Sequence, residues 1–196
     1  MAAYADCLAG FLDQLGLVQA HVAGVSFGGA LALELSRRHP DRVRTLILVS
    51  AYAGWAGSLP AAVVDERLRQ ALVLADLPPE QLVDALLPTM FTEATPRETV
   101  DAFAQSMLAF HPRGFRAMAR ALAEDLSEAL PSVDVPTLVV HGEHDVRSPL
   151  AVAEHLHAAI NGSKLIVLPD AGHLCNLDAP RLFDEAVRGF LRDQGA

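Results

Sequence analysis

Five residues between two unlike stretches constrain this chain more than any other part of it. Residues 20–25 are a short, mostly apolar run, residues 30–38 are strong helix formers that stop before Pro40, and at their junction stands Gly24-Val25-Ser26-Phe27-Gly28. The first run reads as a strand and the second as a helix, so this Gly-x-Ser-x-Gly places a serine on a turn tight enough to strain its own backbone. Glycines two residues to either side leave space for strand and helix to approach. The Ser26 hydroxyl then stands above the C-terminal end of the strand, at the positive end of the helix dipole, with the Phe27 backbone N–H free to bind a negative oxygen. A glycine-rich turn with an idle serine is the alternative, and the flanking strand and helix weigh against it.

Outward from that junction, residues 43–49 (Val-Arg-Thr-Leu-Ile-Leu-Val) are β-branched and apolar on both faces, the pattern of a strand buried in a parallel sheet. The result is a β-α-β unit. Upstream, Tyr4, Leu8, Phe11, Leu12 and Leu15 recur at helical spacing, and Gly16 follows as the residue that ends the helix. Between residues 51 and 130 the strand signal stops. Helical faces follow one another there, Val100, Phe103, Met107 and Phe110 on one and Phe115, Met118, Leu122 and Leu126 on the next, and Pro60, Pro78, Pro79, Pro88, Pro96 and Pro112 cut the stretch into short helices. After Pro136 the alternation resumes, with strands over 137–141 and 164–168 and helices over 150–160 and 182–191. The expected architecture is an α/β fold with a mainly parallel sheet, its core in residues 1–50 and 131–196, and a helical cap or lid in residues 51–130. A helical subdomain with no gating role is the other reading of that insertion.

A serine hydroxyl is a weak nucleophile until a base takes its proton, and the base needs a carboxylate to hold its tautomer and stabilise its charged form. In an open parallel sheet, sites form at the C-terminal ends of the strands, so both partners are sought in those loops. His141-Gly142-Glu143-His144-Asp145 leaves one strand and offers Asp145, while Pro169-Asp170-Ala171-Gly172-His173 leaves the last and offers His173. The chain order is serine, acid, histidine. Glu143 and Asp170 compete as carboxylates, but position favours Asp145 and His173. A metal reading of His141 and His144 would need further ligands and a His-Glu-x-x-His helix, which is absent, so neither metal nor cofactor is expected. The histidines at 21, 39, 111, 155 and 157 fall at strand edges, helix ends or solvent positions.

Charge excludes other roles. With 15 Lys+Arg against 24 Asp+Glu the net charge is −9, and no run of basic residues makes the positive stripe that a nucleic acid would require. Cys7 and Cys175 stand in no metal-type spacing and cannot build a disulfide scaffold, which fits a reduced, cytoplasmic setting. Residues 1–13 show no basic-then-apolar leader, and no stretch approaches the roughly 18 apolar residues of a membrane span, so no membrane partner is expected.

The three motifs resemble those of the α/β-hydrolase superfamily over nearly the whole chain, in particular its small-molecule esterase, lactonase and cofactor-free haloperoxidase branch. Gly-Val-Ser-Phe-Gly-Gly, the stretch Ala51-Tyr52-Ala53-Gly54-Trp55, and Gly172-His173-Leu-Cys-Asn-Leu-Asp-Ala-Pro are similar to 3-oxoadipate enol-lactonases. The resemblance implies Ser26 as nucleophile, Asp145 as acid, His173 as base and the Phe27 N–H as an oxyanion-hole donor. Serine rather than aspartate at position 26 argues against the haloalkane dehalogenase and epoxide hydrolase branches. It also implies four further strands and a helix ahead of Tyr4, with a His-Gly loop supplying a second oxyanion donor, whereas the one His-Gly here is His141-Gly142. The expected sheet is therefore the C-terminal half of the usual one, from a chain that is N-terminally truncated or whose open edge a second copy or another chain covers.

The expected activity is hydrolysis of a small carboxylic ester or lactone through an acyl-Ser26 intermediate. Losing one oxyanion donor costs about 10²–10³ in rate, so a catalytically impaired fragment or a non-catalytic binding module is the first rival. Perhydrolysis of the haloperoxidase kind, or C–C bond hydrolysis with the same three residues, is the second. Trp55, Phe91, Phe103, Met107 and Phe110 are candidate pocket residues, although such stripes are more often core. Arg113, Arg116 and Arg120 lie near one helical face, where they meet either a substrate carboxylate or solvent.

Overall fold

The computed structural model describes residues 1–195. Four strands, β1 (Ala20–Val25), β2 (Val43–Val49), β3 (Thr137–Gly142) and β4 (Lys164–Leu168), form one parallel sheet in that order, with Val25 beside Val49, Leu46 beside Thr137 and Val140 beside Ile166. The continuous apolar sequences of β2 and β3 follow from their central place, covered on both faces. Side chains alternate between two cores, as the two-residue period of a strand requires. Leu46, Leu48 and Val139 pack with helices α1 (Ala2–Gln14), α2 (Phe27–Arg38) and α7 (Leu150–Ala159), while Ile47, Val49, Leu138 and Val140 pack with Phe190 of α9 (Pro180–Asp193).

Between β2 and β3 the chain runs through α3 (Ala61–Leu74), α4 (Pro79–Leu86), α5 (Arg97–Met107) and α6 (Pro112–Leu122), and a short α8 (Cys175–Asp178) precedes α9. Pro79 and Pro112 stand at the first helical position, where a missing N–H costs nothing, and Pro60 and Pro96 immediately precede α3 and α5. The prolines thus start helices here. Leu82, Val83, Leu86 and Met107 make a small core between α4 and α5.

Three expectations need correction. The apolar face of α1 is narrower than its periodicity suggests: Ala5, Ala9 and Leu12 are buried and Tyr4 and Leu8 pack against the core, while Phe11 and Leu15 are each 55% exposed. Gly16 does end this helix, at φ +67°. Phe110 lies beyond α5, which stops at Met107, and Leu126 lies beyond α6, which stops at Leu122.

β1 is an edge. It pairs only with β2, and His21 and Ala23 are exposed. The exposed apolar side chains of Leu17 and Val18 lead into it. Among the described residues, no helix is long and apolar enough to cross a membrane.

Candidate active site

Ser26 occupies the turn between β1 and α2 at φ 53°, ψ −111°, a conformation L-residues rarely hold. Hydrogen bonds keep it there: its N–H donates to Val49 O at 2.8 Å, and its carbonyl accepts from the N–H groups of Gly29 and Ala30 at 3.0 and 3.2 Å. The glycines divide their work differently from the sequence expectation. A Cβ on Gly24 would collide with the backbone of Gly28, and one on Gly29 with the side chain of Ala51, whereas one on Gly28 would meet nothing within 4 Å. Strand and helix therefore approach through Gly24 and Gly29. The Phe27 N–H, at the first position of α2, donates no hydrogen bond among the described residues, and its ring packs edge-on against Tyr4 at 5.3 Å.

Asp145 lies in the loop after β3 and His173 in the loop after β4, both at the end of the sheet that carries Ser26. The two side chains are buried, and Asp145 Oδ2 stands 2.8 Å from His173 Nδ1. The other carboxylate oxygen accepts from the backbone N–H groups of Arg147 and Ser148 at 2.8 and 2.9 Å. Burial works to raise the pKa of Asp145, but the hydrogen bond and charge of His173 together with the Ser148 N–H outweigh it and hold the carboxyl below its ordinary value. Gly142 brings the two loops together, since a Cβ there would strike the carbonyls of Ala171 and Gly172, and the His144 N–H donates to Ala171 O at 2.8 Å.

The competing groups are placed elsewhere. Glu143, His144 and Asp170 are exposed and bring their side-chain oxygen and nitrogen atoms within 4.8 Å of one another at the surface. His141 is buried in β3, with burial pushing its pKa down and both ring nitrogens lacking a hydrogen-bond partner. His21 bonds the Thr45 hydroxyl at 2.9 Å, His39 bonds Asp6 at 2.8 Å, and His111 caps α6.

Ser26 and His173 line one cavity of about 560 Å³, within the usual range of small-molecule sites. Trp55, Phe103, Met107 and Phe110 line it too, as the sequence suggested. Phe91 does not, because its ring packs edge-on behind Phe103, at 5.4 Å between centroids. From α6 the cavity receives Phe115, Met118, Ala119 and Leu122, which leaves Arg113, Arg116 and Arg120 on other faces, with Arg116 paired to Asp76. The polar lining escaped the sequence reading. It consists of Arg67 and Gln70 on α3, Thr89 after α4, and Arg147 two residues after Asp145.

A family model for the alpha/beta hydrolase fold matches residues 1–180. The chain belongs to that family. Other α/β hydrolases similar to it include an esterase from Thermogutta terrifontis, whose structure holds malate, at 31% identity and a TM-score of 0.87 over 98% of this chain and 72% of the other. The enol-lactonase from Burkholderia xenovorans LB400 is 26% identical with a TM-score of 0.84, over 96% and 71%. The 2-hydroxymuconate semialdehyde hydrolase of Pseudomonas putida is 32% identical over 195 residues, 95% of this chain and 67% of that protein. Measured against these longer α/β hydrolases, the four-stranded sheet is partial.

Proposed function

We propose that this α/β hydrolase cleaves small carboxylic esters or lactones through a covalent acyl-Ser26 intermediate. The observation that carries the reading is the buried Asp145–His173 pair on the wall of the cavity that Ser26 shares. Asp145 accepts the Nδ1 proton of His173, which leaves Nε2 as the base that takes the Ser26 proton. The serine oxygen adds to the ester carbonyl, and the Phe27 N–H together with the N-terminus of α2 stabilises the oxyanion. His173 then protonates the leaving alcohol or the opened lactone oxygen, and a water activated by the same imidazole releases the acid. No step needs a metal or cofactor. Residues 51–130 act as the cap over this site, contributing Trp55, Phe103, Met107 and Phe110 to the cavity, and residues 1–50 and 131–196 supply the core that carries the three side chains.

The test is intact mass after treatment with a fluorophosphonate, with Ser26→Ala as control. A single adduct that disappears in Ser26→Ala is expected. Folded protein that takes up no probe would overturn the acyl-serine mechanism and leave a binding module or a catalytically impaired half-sheet.

A further inference from the structure

Asp145 takes its orientation from a backbone peptide, and side chains of the helical insertion hold that peptide. Oδ1 of Asp145 accepts from the N–H groups of Arg147 and Ser148, at 2.8 and 2.9 Å. The Ser148 N–H and the Arg147 carbonyl belong to one trans peptide group, so they point in opposite directions across one plane. Whatever fixes the carbonyl also aims the N–H.

Two side chains fix it. The Tyr52 hydroxyl donates to the Arg147 carbonyl, and Arg67 Nη2 donates to the same oxygen at 2.7 Å, which fills both of its lone pairs. Arg67 Nη1 donates to the Tyr52 hydroxyl at 3.0 Å and closes the ring of hydrogen bonds, with the guanidinium carbon 5.8 Å from the centre of the Tyr52 ring. Tyr52 is buried, and burial pushes its pKa up, so the hydroxyl keeps the proton it donates. Donation onto a carbonyl polarises its peptide group and strengthens the N–H on the far side as a donor. A further tie, from Arg147 Nη1 to Thr89 Oγ1 at 2.7 Å, holds the side chain of the same residue. Tyr52, Arg67 and Thr89 all lie between β2 and β3, in the insertion, whereas Asp145 and His173 lie in the core. The groups that hold the Asp145 pKa down are His173, the Ser148 N–H and His141, so Arg67 reaches the carboxylate through the peptide and not as a counter-charge.

We infer that Tyr52 and Arg67 are positioning residues of the acyl-Ser26 hydrolysis: through the Arg147–Ser148 peptide they hold Asp145 in the orientation that keeps the His173 proton on Nδ1. The insertion then completes the acid loop as well as walling the cavity. The inference rests on the hydrolase reading above. Arg67 also borders the cavity, so a contact with substrate is the rival to be separated from it.

A double-mutant cycle on the rate of fluorophosphonate labelling separates the two. Tyr52→Phe is expected to slow labelling about 3- to 10-fold and Arg67→Met about 10- to 100-fold, the ranges that a neutral and a charged hydrogen bond supply. In Asp145→Asn, where the imidazole already holds the wrong tautomer, the same two changes are expected to alter the rate by less than about twofold. A substrate contact would slow both backgrounds alike. The second readout needs no activity: deuterium exchange at the Ser148 amide is expected to accelerate at least about tenfold in Tyr52→Phe and Arg67→Met, while the Val139 amide within β3 keeps its protection. Tyr52→Phe removes a single oxygen, so it carries the test if Arg67→Met does not fold. If wild type is labelled and the two changes slow wild type and Asp145→Asn equally, the positioning role is overturned while the hydrolase reading stands. If wild type takes up no probe, the hydrolase reading falls and exchange decides: faster exchange at Ser148 alone upholds the hold on the acid loop, and unchanged protection overturns it.

Discussion

Replacing Asp145 by Asn separates catalysis from folding, and the hydrogen bonds around the carboxylate show why. Oδ1 accepts two backbone N–H groups, from Arg147 and Ser148, and Oδ2 faces His173 Nδ1 at 2.8 Å. An asparagine has one acceptor oxygen and one donor nitrogen. Turning the nitrogen toward the two N–H groups strands both, at about 1–3 kcal/mol each, so the amide oxygen stays with them and the amide N–H₂ faces His173. Nδ1 must then accept, which moves the imidazole proton to Nε2, where a base is needed. The wrong tautomer costs a serine–histidine–aspartate site about 10⁴ in rate, or about 5.4 kcal/mol at 1.36 kcal/mol per decade. All polar groups remain paired, so stability is expected to change by less than about 1 kcal/mol. The assay is the second-order rate of fluorophosphonate labelling followed by intact mass, with a thermal melt on the same samples. Labelling of Asp145→Asn within tenfold of wild type, with an unchanged melt, refutes the assignment and redirects the search to Glu143 and Asp170.

Acid should act through the same carboxylate. Its folded pKa lies below the unfolded one, so its contribution to stability is present above the unfolded value and lost as pH falls through the folded value, and Asp145→Asn should flatten that acid limb of Tm against pH. Gly24→Ala drives a Cβ into the Gly28 backbone and is expected to cost at least about 3 kcal/mol, while Gly28→Ala, with open space around it, changes stability by less than about 1 kcal/mol; equal Tm values for the two would refute the packing account. Burial pushes the Cys175 thiol up to about 12, so iodoacetamide at pH 8 should alkylate exposed Cys7 alone until denaturant is added, and two adducts on native protein would show that the region beyond His173 opens. The open β1 edge should drive self-association visible in sedimentation velocity, an expectation that a stable, cooperatively unfolding monomer would refute.

Val43–Val49 was legible because its burial is two-sided, and the half-exposed edge strand Lys164–Leu168 because its apolar run is bounded by turn residues. Helix faces were less so. A periodic stripe tells which residues share a side but not how far the helix continues, and Phe110 and Leu126 lie in the connections beyond the helix ends. In α1 the small residues Ala5 and Ala9 share the contact with Tyr4, Leu8 and Leu12 while Phe11 and Leu15 stay outside, because close helix packing selects for size as well as polarity.

Chain order and loop position were enough to bring Asp145 and His173 together, since parallel strands deliver every following loop to one edge of the sheet. The polar wall of the cavity had no such address. Arg67 lies on α3 beside Glu66 and Arg69, which pair with each other as an ordinary solvated face would, and Arg147 is one turn residue among several after Asp145. What sets these two arginines on the cavity wall is the packing of α3 and of the loop after Asp145, which becomes visible only when every neighbour has a position. The three arginines of α6 show the converse. Their spacing on one helix suggested a cationic face, but Phe115, Met118, Ala119 and Leu122 occupy the side of α6 that meets the cavity, so hydrophobic burial decided which face turned inward and charge followed. Which side of a helix meets a cavity is therefore read from its apolar stripe and not from where its charges gather.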